Sequence, residues 1–199
     1  MVEPLTDFHA APVLAGTHVR LEPLTPEHAA ALLAAADDDA VFAHLTFLRP
    51  RTLADAEALV ARYLSGPQVP WVQVEVATGE VVGMTSYYEV DAAQRTVAIG
   101  WTWLARRVWR TGVNTEAKLL LLRRAFDDLG CVRVVWHTDI RNERSQAAIA
   151  RLGARREGVM RKHRLRPDGS WRDTVTFSML DDEWPAARAS LEDRLARPA

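Results

Sequence analysis

Cysteine is almost absent from this sequence: Cys131 is the only one in 199 residues. A lone thiol excludes an internal disulfide framework and any CxxC metal site, so no metal is expected. No run of 18 apolar residues occurs, and the first residues lack the basic-then-apolar order of a secretory signal. The expectation is a cytoplasmic protein with no membrane contact. An excess of one charge is also lacking, with 25 Lys and Arg against 26 Asp and Glu. Broad binding to nucleic acid needs a basic footprint, and none is visible. Neither GxGxxG nor GxxxxGKS/T is present, and there is no internal repeat. The length suits one good core. We read residues 1–199 as one domain, with 1–15 as an N-terminal arm and 183–199 as a C-terminal helix.

What is present is organised around Thr96 to Leu129. Thr96 to Leu104 is rich in β-branched and aromatic residues and reads as a buried strand. From Gly112 the period changes: Leu119, Leu122, Phe126 and Leu129 fall on one helical face. The loop between, Arg106 to Asn114, is basic and carries one glycine. A loop entering a helix leaves backbone N–H groups unpaired at the positive end of the dipole. That end can take a phosphate, with Gly112 allowing close approach. The alternative is a solvated basic turn ahead of an ordinary helix.

Around this centre the chain reads in order. Thr17–Pro23 alternates as a strand. Thr25-Pro26-Glu27 starts a helix that runs to Ala36, and Thr52 to Asp55 opens another that runs to Leu64. Val41–Pro50 is irregular. Trp71–Val76 and Val81–Val90 form a hairpin about Thr78-Gly79. Gly130 stops the central helix, and Cys131–Thr138 is continuous enough for a mid-sheet strand with Cys131 buried in it. Asn142 caps a helix ending at Gly153. Glu157–Leu165 and Trp171–Leu180 pair across Pro167-Asp168-Gly169. The fold class is therefore α+β: a mixed, mostly antiparallel central sheet flanked by helices, with one parallel β-α-β crossover. Ligands of such sheets sit beyond the carboxyl ends of strands, where the Arg106–Asn114 loop falls.

Three stretches, WLARRVWRTGVNTEAKLLLL, DIRNERSQAAIARLGARREGVMRKH and RPDGSWRDTVTFSMLDDEW, resemble the GCN5-related N-acetyltransferase (GNAT) superfamily. The resemblance is to its ribosomal-protein N-terminal acetyltransferase-like (RimJ/RimL-type) branch and runs from about Thr17 to Pro185. It implies acetyl-CoA as co-substrate and acetyl transfer to a primary amine. The family's pyrophosphate loop is Gln/Arg-x-x-Gly-x-Gly/Ala. Here Trp109-Arg110-Thr111-Gly112-Val113-Asn114 keeps only the central Gly112. By resemblance, Arg110, Thr111, Gly112, Val113, Asn114 and Thr115 would hold the pyrophosphate. Trp103 and Leu104 would pair their backbone with the pantetheine arm, at a bulge that splays the sheet. Asn142 would bond the pantetheine. The basic stretch Arg141–Arg166 reads either as a solvated face or as a surface for an acidic partner or the 3′-phosphate of CoA, with Arg144 and Arg110 the candidates for that phosphate. Ser145 would protonate the leaving thiolate. Asn142 also reads as a plain N-cap and Ser145 as a plain first-turn residue.

The implied reaction is direct attack by a neutral amine on the acetyl carbon in a ternary complex, helped by proximity. Many relatives carry an acid in the central strand where this chain has Ala98. His163, in Lys162-His163-Arg164, titrates in the range a base needs and is the candidate taken here. Glu157, Glu116 and His44 are further candidates. Three functions are compatible with these residues. The leading one is acetylation of a protein N-terminal α-amine. The others are acetylation of a small amine such as an antibiotic, polyamine or amino acid, and non-catalytic acyl-CoA binding. Edge strands near the C-terminus are compatible with a homodimer.

Overall fold

The computed structural model describes residues 7–197. Its strands are β1 (Leu14–Ala15), β2 (Val19–Pro23), β3 (Val69–Glu75), β4 (Val81–Asp91), β5 (Thr96–Leu104), β6 (Arg133–Asp139), β7 (Arg155–Leu165) and β8 (Trp171–Leu180). Its helices are α1 (Ala29–Ala35), α2 (Leu53–Leu64), α3 (Gly112–Arg123), α4 (Glu143–Ala150) and α5 (Trp184–Ala196). The strands join in one sheet, ordered β1-β2-β3-β4-β5-β6-β8-β7. Every pair is antiparallel except β5 and β6. The fold is thus the mixed, mostly antiparallel sheet with one parallel crossover that the residue pattern implied.

Several boundaries differ from the expected ones. The arm, over the part described, ends in a two-residue edge strand: β1 pairs with β2, and Trp71 Nε1 donates to the Pro12 carbonyl at 2.8 Å. Residues 1–6 of the arm and 198–199 of the C-terminal helix lie outside the described residues. The first helix begins with a 3-10 turn, Pro26–His28, in which the Thr25 N–H donates to His28 Nδ1 at 3.0 Å. The central helix is not regular to Leu129. It widens to a π turn over Arg124–Asp128, where the Leu129 N–H reaches the Arg124 carbonyl. The Cys131 N–H then bonds Ala125 O at 2.9 Å, so Cys131 is buried in the connection and β6 starts only at Arg133.

Helix α3 is apolar on more than one face because it is covered from two sides. Leu119 to Leu122 and Phe126 are all buried. The sheet takes one side, and α5 takes another, with Trp184 stacked on Phe126 at 5.6 Å between centroids. Glu116 fixes the helix along its axis. Its Oε1 accepts from the Thr17 N–H and hydroxyl, both at 2.8 Å, and its Oε2 from the N–H groups of His18 and Val19 at 2.6 and 2.8 Å. Burial alone would raise this carboxyl, but the donors outweigh it and hold the pKa below its usual value. Glu116 is therefore a clamp and is not free to act as a base. Among the described residues no helix is long and apolar enough to cross a membrane.

Glu116→Gln keeps the shape but turns an amide N–H toward those donors. We expect a loss of about 2–4 kcal/mol, seen in thermal unfolding as roughly 2–4 °C per kcal/mol. An unchanged midpoint would show that the clamp contributes nothing.

Candidate active site

Strands β5 and β6 stay paired for only three residues, ending at Ala98 and Val135. Beyond that point they part and leave a cavity of about 1050 Å³. A bulge in β5 accompanies the parting. Met84 pairs with Trp103 and Ser86 with Gly100, so β5 carries one residue more than β4. Trp101 takes up the excess with φ +53°. That conformation costs an L-residue about 1–2 kcal/mol. It is held by aromatic packing, with Tyr63 and Tyr88 edge-on to the indole at 5.9 and 6.2 Å.

One end of the cavity lies between two helix N-termini. Arg110, Thr111, Asn114 and Thr115 line it from α3, and Asn142, Arg144 and Ser145 from α4. Both caps are made. Thr111 Oγ1 accepts from the Val113 N–H at 3.3 Å, and Asn142 Oδ1 from the Ser145 N–H at 3.0 Å. Gly112 and Val113 do not line the cavity. Val113 is buried, and a Cβ on Gly112 would lie 2.8 Å from the His18 ring. The bare α-carbon of Gly112 therefore makes room for His18, in the turn just before β2. Trp103 and Leu104 line the cavity, but their carbonyls are occupied. Trp103 O accepts from Gln73 Nε2 at 3.3 Å, and Leu104 O from Trp109 Nε1 at 2.8 Å. Trp109 thus ties the loop to the strand end, and the Arg144 guanidinium stacks on its ring at 3.8 Å.

The other end is walled by His44, Tyr88, His137, Arg164 and Arg172. The Tyr88 ring lies over Gly100, where a Cβ would meet it at 2.6 Å, and its hydroxyl meets His137 Nδ1 at 3.0 Å. Burial, then the positive charges nearby, lowers the His137 pKa to about 4. His163 opens instead on an adjoining cleft with Thr46, Arg62, Trp101 and Trp171. Its Nδ1 is buried without a partner among the described residues. Glu157 is bound by both Arg133 Nη groups and the Ser178 hydroxyl, away from the cavity.

Tyr88, His137, Arg172 and Lys118 were not singled out from sequence. Lys118 had a legible signal, because it lies one turn before Leu122 on an apolar helix. It is buried, lines the cavity, and donates to Thr102 Oγ1 at 2.7 Å. The other three depend on strand pairings between distant segments.

A family model described as "Acetyltransferase (GNAT) domain" matches residues 18–155. The chain belongs to this family of acetyl-CoA-dependent acyltransferases. A GCN5-related N-acetyltransferase from Brucella melitensis superposes with TM-score 0.90 at 31% identity, covering 97% of this chain and 88% of that one. Mycobacterium smegmatis RimJ, solved with CoA-disulfide, superposes at 0.75 with 25% identity, covering 92% and 91%. The Bacillus subtilis (strain 168) protein named "Putative ribosomal N-acetyltransferase YdaF" is 34% identical over 106 residues. That match spans 53% of this chain and only 57% of the relative.

Burial lowers the Lys118 pKa from 10.5 to about 7. The unfolded chain therefore binds more protons between these values, and stability rises with pH through that window. Lys118→Met removes the term. In urea titrations the variant should be at least as stable at neutral pH and flatter above it. Two parallel stability curves would contradict the burial of an ionisable amine here.

Proposed function

We propose that the chain transfers an acetyl group from acetyl-CoA to the α-amine of a protein N-terminus. The observation that carries this reading is one continuous cavity. It joins two helix N-termini at one end to an aromatic, hydroxyl and imidazole wall at the other.

The residues present fit the cofactor. The cavity-lining residues Thr111, Asn114 and Thr115 at the start of α3, with Arg110 and Arg144, suit the phosphates. The edge of β5 beyond Ala98, left unpaired by β6, suits an extended amide arm. Bound there, acetyl-CoA supplies an activated acetyl thioester. Asn142 positions the arm while its Oδ1 holds the start of α4. A backbone N–H near Trp103 stabilises negative charge that develops on the carbonyl oxygen. Ser145 Oγ holds a proton for the departing thiolate. Holding both reactants in one cavity supplies much of the acceleration.

His163 faces the adjoining cleft, so the base role passes to water and to the ionisation of the amine itself. An α-amine has a pKa near 8, so an appreciable neutral fraction exists at pH 7. A protein acceptor is supported by one relative's name, "Putative ribosomal N-acetyltransferase YdaF".

Thermal unfolding with acetyl-CoA at 100 times Kd should gain about 2.7 kcal/mol. Thiol release should then require a peptide with a free N-terminus and fail with its blocked counterpart. Absence of both the shift and thiol release would overturn the reading.

The pH profile is a second test. His137 is neutral above about pH 4, and burial also lowers His44 and His163 below the usual imidazole value. Therefore kcat/KM should rise with pH and level off near the pKa of the acceptor amine, about 8. A step below the usual imidazole range that disappears in His163→Gln would show instead that His163 is the base.

A further inference from the structure

Arg172 on β8 is 7% exposed and lines the cavity. Among the described residues its side chain makes one hydrogen bond, from Nε to the Thr174 hydroxyl at 3.1 Å. Asp139 attracts it without a hydrogen bond, and both nearby acids already have other partners. Asp139 accepts from Arg166 Nε and Nη2 at 2.7 and 2.9 Å and from the Arg141 N–H at 2.9 Å. Glu89 lies 3.9 Å from Arg164 and 3.8 Å from His137. His137 brings no compensating charge.

The strand pairing concentrates the problem. Arg164 on β7 is the direct partner of Arg172 across the ladder, and like charges set opposite each other are destabilising. A register shift between Met160 and Arg164, with Lys162 at φ +48°, accompanies this placement. Both arginines line the same cavity. Buried charges are normally paired, and leaving one unpaired is costly. A guanidinium offers a planar fork that matches a carboxylate.

We infer that Arg172 anchors a carboxylate carried by the acceptor, so that the amines acetylated here bear a carboxylate a few bonds from the nitrogen. This rests on the acetyl-transfer reading above and narrows its acceptor. A phosphate is not the group indicated, because the starts of α3 and α4 already offer the cofactor's phosphates a place in the same cavity. The carboxylate has two sources: the α-carboxylate of a free amino acid, or an acidic side chain next to a peptide N-terminus. Arg172 is then a specificity-determining residue, with Arg164 beside it.

The test compares matched acceptors in thiol release. Alanine against alaninamide probes the first source, with rates expressed per neutral amine. The peptide Ser-Glu-Ala-amide against Ser-Gln-Ala-amide probes the second. The pair that matches the natural source should show a preference for the carboxylate of at least about tenfold in kcat/KM, the scale of one charge-assisted hydrogen bond. Arg172→Gln should bring the ratio to within about threefold of unity. Arg172→Lys, which keeps the charge without the fork, should fall between, and it carries the test if the glutamine variant does not fold. No preference in either pair, or one that survives in Arg172→Gln, overturns the assignment. If none of the four turns over, the acetyl-transfer reading fails separately. The same four compounds are then titrated as ligands by calorimetry. There a carboxylate preference lost in Arg172→Gln supports the anchor, and no preference rejects it.

Discussion

The parting of β5 from β6 is the constraint on which the functional half of the molecule depends. Parallel neighbours need a crossover, and α3 provides it. Because only residues 105–111 link β5 to the helix, its N-terminus falls at the mouth of the gap. The bulge at Trp101 turns the end of β5, and the unpaired backbone beyond Ala98 becomes a surface for something extended. Glu116 then fixes how far α3 slides, by holding a turn nearly a hundred residues upstream in sequence.

The two ends of the cavity differ in kind. One is made of helix N-termini and arginines open to a polyanion. The other is lined by basic groups that burial works against. Lys118, His137 and Arg172 each have desolvation as the largest cause of a lowered pKa. Lysine and histidine can respond by giving up their protons. Arginine retains its charge. The wall therefore keeps its charge on Arg172 and on Arg164 beside it, which suits a neutral amine attached to a carboxylate.

Much of this was legible in the residues. Period changes located the β5–α3–β6 unit, and turn chemistry at Pro167–Gly169 located the last hairpin. Asn142 as a cap was readable from its type alone. The π turn was not readable, because Arg124–Asp128 continues a good helical pattern and the widening is set by the Cys131 N–H meeting Ala125. The packing role of Gly112 was not readable for a similar reason: the ring it packs against, His18, belongs to another element. Trp109 looked like a degraded motif residue, but its indole N–H replaces side-chain help by pinning the loop to Leu104. His163 and His137 show the limit best. Both are strand histidines, and only the β6–β8–β7 pairing sets one on the cavity and the other on its neighbour.

Amide hydrogen exchange with and without acetyl-CoA tests the central claim most directly, because it maps where the ligand meets the backbone. The account predicts slowed exchange at Thr102–Leu104, at Gly112–Thr115 and around Ser145, with β1 to β3 and α5 unchanged. Protection confined to other elements, or no protection at saturating ligand, would contradict the claim that the parted strands form the acetyl-CoA site.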